Sequence, residues 1–473
     1  MRACLFAITV LIAACGPSTR EGPSDPNAPC NPGAVEKCYD GQLGTEGVGP
    51  CVAGVRTCTD QALWTACEGQ VVPAAEVCGD GVDNNCSGEA DENVDLDGDG
   101  ITTCDGDCCD STECADPAIV NAGAFDAPGN NFDDDCNGVV DDAISQCDTG
   151  LASNTTNAMD FAKAIELCQE TTISEKKWGV ISAKLVLADG NGTPAAKAHA
   201  IRPKFGTNVV PRGGTSVALL STGAAAGKGD TNPAWEDFQD TPTTNGNNTQ
   251  SAFPADFVQA NGGSLPNAPG CDAPDGNTAN DPVMLELEIR VPTNAKSFTL
   301  DTNFFSSEFP EWTCSPYNDF FVVLLDSSYA GVPANPADKN LAFYTPPNST
   351  MKFPVGVNLA AGDTGLFTQC INGKIGCANI LGGGGGGTIS TCTSTDQLVG
   401  TGLDTADGGS CDTNSKQGGG TGWLQTSGNV VGGEIIKLRI AIWDTSDHIL
   451  DSIAVIDHFE WSVEATDPGT VLF

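Results

Sequence analysis

Three short stretches of this chain space oxygen-bearing side chains in the way a hard cation requires. Asp83-x-Asn85-x-Ser87-Gly88, Asp95-x-Asp97-x-Asp99-Gly100 and Asp133-x-Asp135-x-Asn137-Gly138 each put donors at positions 1, 3 and 5 and glycine at position 6. Calcium takes six to eight oxygens at about 2.3–2.6 Å, and donors on alternate residues wrap one loop around it. Glycine permits the sharp turn that completes the wrap. An EF-hand loop also needs glutamate at position 12, where this chain has Val94, Gly106 and Ile144. Asp91-Glu92 and Asp141-Asp142 are therefore the expected closing donors of the first and third loops, with Asp105 added to the middle one. No helix pairs are expected around them.

The setting supports a metal. Residues 76–142 hold twenty Asp and Glu and no Lys or Arg, within a chain of net charge −41. Such a chain does not seek nucleic acid through its charge. A block of like charge is commonly a solvated, disordered segment. Regular cysteines, and glycines at fixed offsets from the acids, argue for folded loops instead. The oxygen donors predict Ca²⁺. Copper and zinc are disfavoured, because His199, His448, His458 and all four Met lie outside the acidic region. Cys104, Cys108, Cys109 and Cys114 offer a zinc set in principle, but disulfides are expected in an oxidising compartment. Affinity of extracellular calcium modules is about 10⁻⁴–10⁻³ M, which suits a constitutive structural role.

The acidic region repeats. CGDGVDNNCSGEADE (78–92) recurs as PGNNFDDDCNGVVDD (128–142), and DLDGDGITTCDGDCCD (95–110) lies between. Cys78, Asp80, Gly81, Asp83, Asn84, Cys86, Gly88, Asp91, Glu92, Asp95, Asp97, Asp99 and Cys104 resemble the metal-binding repeats of MopE-type bacterial surface proteins. The preceding CYDGQ…GVGPC…TC…W…CEGQVVP is similar to the Cys module often found before such repeats. Asn85 and Ser87 stand where that family usually has acids, and Pro128 and Asn130 where the first copy has Cys78 and Asp80. The resemblance covers roughly residues 30–147.

The ends of these elements define the organisation. MRACLFAITVLIAACG carries one Arg, an apolar run and small residues, as a secretion signal does. Ile12-Ala13-Ala14-Cys15-Gly16 resembles a bacterial lipobox, which implies cleavage after residue 14 and acylation of Cys15. Residues 15–29 then form a Pro-rich tether, 30–75 a Cys-rich module, 76–147 the acidic repeats and 155–473 a large domain. Without Cys4 and Cys15 the 22 cysteines leave an even twenty, expected as disulfides. Seven of these follow Asp148, and the odd count predicts a bridge across the boundary, from Cys147 to Cys168.

The large domain is expected to be an antiparallel β-sandwich, making the whole chain mainly β, with the disulfide-rich module and acidic loops in front. MLELEIRV (284–291) and IIKLRIAIW (435–443) alternate, burying Leu285, Leu287, Ile289 and Val291, and Ile436, Leu438, Ile440 and Ile442. FFVVLLD (320–326) reads as a strand buried on both faces. MDFAKAIELCQ (159–169) has helical spacing. The run GGGGGG (382–387) is a linker rather than a phosphate loop, since no Lys-Ser or Lys-Thr follows.

FTLDTNFFSSEFPEWTCSPYNDFFVVLLD (298–326) and WDTSDHILDSIAVIDHFEW (443–461) resemble the choice-of-anchor L domain of bacterial surface proteins. Their acids fall at strand ends, so a second metal site is expected from Glu308, Asp319, Asp444 and Asp451, against the alternative of turn-forming surface acids. Glu308 and Glu311 could serve glycoside hydrolysis, but no nucleophile elbow, zinc-protease motif or convincing Cys–His pair is present. The expectation is a non-enzymatic lipoprotein, on the outer membrane or cell surface of a Gram-negative bacterium, held by its lipid. It would present the β domain to a protein or glycan partner for adhesion or envelope structure. The alternative is a secreted glycan-binding or glycan-hydrolysing protein stabilised by calcium.

Overall fold

The computed structural model describes residues 30–472 apart from 75, 91–94, 111–116, 142–145, 239–246, 272, 275, 361–363, 379–388 and 406–417. The leader, Cys15, the tether, Asp91, Glu92, Asp142 and the glycine run therefore lie outside the described residues. Two compact units emerge. The first reaches Leu96 and adds Thr102–Gly106; the second takes Asp97–Ile101 and everything from Asp107 onward. The two acidic copies thus belong to different units.

In the first unit, sulfur replaces the usual aliphatic core. Its buried apolar side chains, among the described residues, are Cys38, Cys51, Cys58 and Cys86, while Val35, Leu43, Leu63 and Val77 are exposed. A short antiparallel hairpin, β1 (Val35–Cys38) and β2 (Gly54–Thr57), is held by Cys30–Cys58 and Cys38–Cys67. Cys51–Cys86 and Cys78–Cys104 staple the first acidic loop. A segment with so little to bury depends on such cross-links. Arg56 is buried between the Trp64 ring, 4.8 Å from its centroid, and the Glu36 carboxylate, to which its Nε donates at 2.8 Å.

The second unit is mainly β, built on two packed sheets. The smaller holds β3 (Gly179–Val186), β6 (Gln250–Ser251), β7 (Ala279–Arg290), β9 (Phe320–Asp326) and β14 (Ile435–Thr445) in the order β3-β7-β14-β9, with β6 on β7. The larger holds β4 (His199–Arg202), β5 (Val217–Ser221), β8 (Ser297–Ser306), β10 (Phe343–Tyr344), β11 (Phe353–Pro354), β12 (Gln369–Cys370), β13 (Gly419–Asn429), β15 (Ser452–Ser462) and β16 (Gly469–Leu472). Its order is β11-β10-β16-β13-β8-β15-β5-β4, with β12 on β13. Pairing is antiparallel apart from β10 with β16.

The alternation expected from sequence is what fills the space between the sheets. Leu285, Leu287, Ile289 and Val291 of one segment and Ile436, Leu438, Ile440 and Ile442 of another share one core with Phe298, Leu300 and Ile456 from the larger sheet. On β9, Phe321, Val323 and Leu325 face that core while Phe320, Val322 and Leu324 enter a second one with Trp443 and Phe257. Helix α2 (Ala255–Ala260) and the loops around Ala188 and Leu265 supply that outer cover.

Helix α1 runs only from Ala158 to Lys163, shorter than the helical spacing of 159–169 indicates. Glu166 adopts φ +67°, which ends the helical path. Two residues later Cys168 is bonded to Cys147, the pairing expected from the odd count. Among the described residues between 76 and 148, the helical elements are two single 3₁₀ turns, Thr103–Asp105 and Pro117–Ile119.

Candidate metal centre

The two acidic copies adopt the same local geometry. In the first, Ser87 N donates to Asp83 Oδ1 at 2.9 Å and to Asn85 Oδ1 at 2.9 Å, and Gly88 N donates to Asp83 Oδ2 at 3.0 Å. In the second, Asn137 N donates to Asp133 Oδ1 at 3.0 Å and Asp135 Oδ1 at 3.1 Å, and Gly138 N to Asp133 Oδ2 at 2.9 Å. Gly88 and Gly138, with φ of 108° and 92°, occupy a region where a side chain would be strained. Cys86 and Cys136 match too, at 58° and 61°, each fixed by a disulfide, to Cys51 and Cys108.

One difference between the copies is compensated. Asn84 Nδ2 donates to Asp80 Oδ2 at 3.0 Å in the first copy, whereas Asn130 Nδ2 donates to Asp134 Oδ2 at 2.6 Å in the second. Asn130, a departure from the family pattern in sequence, is thus one half of an exchanged amide–carboxylate pair. The Asp141 carboxylate accepts from the backbone amides of Gly129, Asn130 and Asn131 at 2.8–3.2 Å, organising the loop that precedes the donors.

A cluster of carboxylates lies between the copies in sequence. Asp97, Asp107 and Asp110 bring carboxylate oxygens within 4.8 Å of one another. Asp107 is buried, and both its Oδ2 and that of Asp97 are enclosed without a hydrogen-bond partner. Burial, with the neighbouring Asp99, Asp97 and Asp110 charges adding to it, pushes Asp107 up to about 6, although Cys109 N donates to it at 2.7 Å. Asp99 also brings a carboxylate oxygen within 4.8 Å of Asp97; its N–H donates to Asp97, and its carboxylate accepts from Ile101 N at 2.7 Å and Asn121 Nδ2 at 2.5 Å. Asp95 falls at the end of the first unit, and Asp105, in that same unit, accepts from the Thr102 hydroxyl at 2.9 Å. Asp107 and Asp110 were missed in the sequence reading; the signal was the continued spacing of acids in Asp105-Gly-Asp107-Cys-Cys-Asp110.

At the rim of the sandwich, Glu308, Asp319 and Asp444 also converge within 4.8 Å. Asp451 does not join them: its carboxylate is turned against Gly223, where an added Cβ would collide with it. Asp447, unassigned from sequence, lies close enough to raise Glu308 and Asp444, and burial raises its own carboxyl.

A further acidic group had no sequence signal. Glu166, inside the expected helix, is pushed up to about 8 by burial and by the Asp457 charge. Burial holds Asp457 at about 7 even though Arg212 N and Gly213 N donate to it.

Comparison with known proteins meets the chain here. Three stretches match: residues 24–42, 73–92 and 114–142 fit the family model for Cu-binding MopE, described as a "Putative metal-binding motif". They flank the Asp97–Asp107–Asp110 cluster. No curated protein and no solved structure matches the chain. The family's name mentions copper, and the donors in these loops are of few kinds. They are carboxylate and amide oxygens, while Cys78, Cys86, Cys104, Cys108, Cys109 and Cys136 are all committed to disulfides.

Proposed function

We propose that this is an exported surface protein whose acidic loops are organised by calcium and whose β-sandwich is presented outward for adhesion or envelope structure. The observation that carries the reading is the pair of enclosed, unpartnered oxygens, Asp97 Oδ2 and Asp107 Oδ2, beside Asp110 and between stretches of a metal-binding motif. Buried carboxylates without donors are costly unless a cation or a proton compensates them. All-oxygen donors favour calcium over copper or zinc. Export is supported by the many disulfides, and the lipobox-like sequence gives Cys15 as the lipid anchor, on the outer membrane or cell surface. The role is non-enzymatic, and the sequence of the rim segments resembles that of a choice-of-anchor L domain.

Calcium titration of the full chain by calorimetry tests this. Binding is expected at about 10⁻⁴–10⁻³ M, with part of the heat lost in Asp97→Asn/Asp107→Asn. An unchanged heat, and a melting temperature indifferent to EDTA, refute it.

One groove favours the second reading, glycan binding. A cavity of about 520 Å³ is lined by Phe125, Trp178, Phe459 and Trp461 together with Glu166 and Asp126. Aromatic faces beside acids suit a sugar ring. Glycan-array binding that Trp178→Ala abolishes would support this reading; turnover of any glycan would make the protein an enzyme.

A further inference from the structure

Glu308, Asp319 and Asp444 come from both sheets. Glu308 follows β8 of the larger sheet; Asp319 immediately precedes β9, and Asp444 lies in β14, of the smaller one. The register pairs Trp443 with Phe320, so Asp444 and Asp319 come next in line on neighbouring strands. Like charges there are destabilising. A bulge between Ile442 and Asp444 shifts the register on the β7 side at this point.

All three acids are buried, with exposures of 1 %, 0 % and 2 %. By hydrogen-bond geometry Glu308 Oε2, both Asp319 oxygens, Asp444 Oδ1 and Ser452 Oγ stand without a partner, although the Asp444 carboxyl and the Ser452 hydroxyl lie close enough to Asp319 to hold its carboxyl down against burial. Among the described residues, no Lys or Arg pairs with any of the three. Burial and mutual repulsion raise Glu308 and Asp444 well above the carboxylate range, and burial brings Asp319 to about 7.

Enclosed acids of this kind need a compensating cation or must stay protonated. Glu308, Asp319 and Asp444, drawn from two sheets, each bring an oxygen within 4.8 Å of the others, a start on the six to eight oxygens that calcium prefers. Zinc would lack nitrogen or sulfur ligands, and magnesium would keep several of its waters. We propose that Glu308, Asp319 and Asp444 form a calcium site that clips the two sheets together at this rim. The site shares no residue with the acidic repeats and rests on separate observations.

The test uses the full chain with CaCl₂ as the only added metal. Native mass spectrometry should count one ion fewer per chain in Asp319→Asn/Asp444→Asn than in the parent, and the loss should add to that of Asp97→Asn/Asp107→Asn. Hydrogen exchange in the parent should show protection of residues 306–320 and 443–452 falling on chelation by about tenfold or more, the scale of a site populated at ten times its Kd. That fall should persist in Asp97→Asn/Asp107→Asn, so the rim is read separately from the repeats. Should Asp319→Asn/Asp444→Asn fail to fold, the exchange experiment on the parent decides alone. Equal ion counts, or equal exchange of these segments in calcium and in EDTA, overturn the proposal; the acids are then protonated buried groups.

Discussion

Arg439 and Asp444 are five residues apart on one strand, yet they head two acidic clusters solved in opposite ways. Around Arg439, Asp256 and Asp326 are matched by two bases. The guanidinium donates to Asp256 at 3.0 and 2.7 Å and to Asp326 at 3.0 Å, and Lys339 reaches both. The Arg439 hydrogen bonds, outweighing burial, hold Asp256 well below the ordinary carboxylate range. In the Asp444 cluster the three acids are more deeply buried and have no base among the described residues, and every shift runs upward. The same chain therefore neutralises carboxylates with its own side chains in one place and leaves the task to something external in another. A shortage of bases, 21 against 62 acids, makes that division unavoidable.

Removing the base from the first cluster should make it resemble the second. Arg439→Met is expected to cost about 3 kcal/mol in urea melts, the lower end for breaking a buried pair because both acids are partly exposed. Adding neutrality to the second should act in the other direction, and with a sign that depends on the ion. In EDTA at pH 8, Asp319→Asn should gain about 1–2 kcal/mol, since an unpaired buried charge is removed. In calcium the same change should lose stability.

The Glu166–Asp457 group is an intermediate case, with Arg212 and His458 nearby. Between about pH 4 and 8 the folded protein retains protons on Glu166 and Asp457 that the unfolded chain has released. Stability contributed by these groups is therefore present at low pH, falls as pH rises through about 7 and 8, and is flat above. Glu166→Gln should flatten that slope in thermal melts at fixed ionic strength and stabilise by about 2 kcal/mol at pH 8. The smallest effect is expected in the loops. Asn130→Asp sets two carboxylates against each other and should cost about 1 kcal/mol, recovered when Asp134→Asn restores the exchanged pair.

The strands were legible because a two-residue period survives in sequence: Leu285 and Leu287, or Ile436 and Leu438, can face only one way in a strand. Phe320–Leu325 showed both faces apolar and found cores on both. Cysteine parity located Cys147–Cys168. What parity and period cannot carry is the choice of conformation at single residues. Glu166 keeps α1 from running on to residue 169 through a positive φ that helical spacing does not encode, and Asp451 turns toward Gly223 rather than toward Glu308, although both acids adjoin the same strand ends. Asp107 and Asp110 were hidden because their value depends on enclosure of Asp97, a tertiary property. Division of the acidic copies between two compact units left no compositional trace either.

The Cys147–Cys168 bridge has a mechanical consequence. Tension arriving along the backbone at Cys147 passes through sulfur to Cys168, so the intervening stretch, with α1 and the strained Glu166, carries no load. Its sequence separation of 21 corresponds to roughly 70 Å of hidden length. Single-molecule stretching should reveal that increment only after reduction, leaving the oxidised protein stiffer and shorter under the same pull.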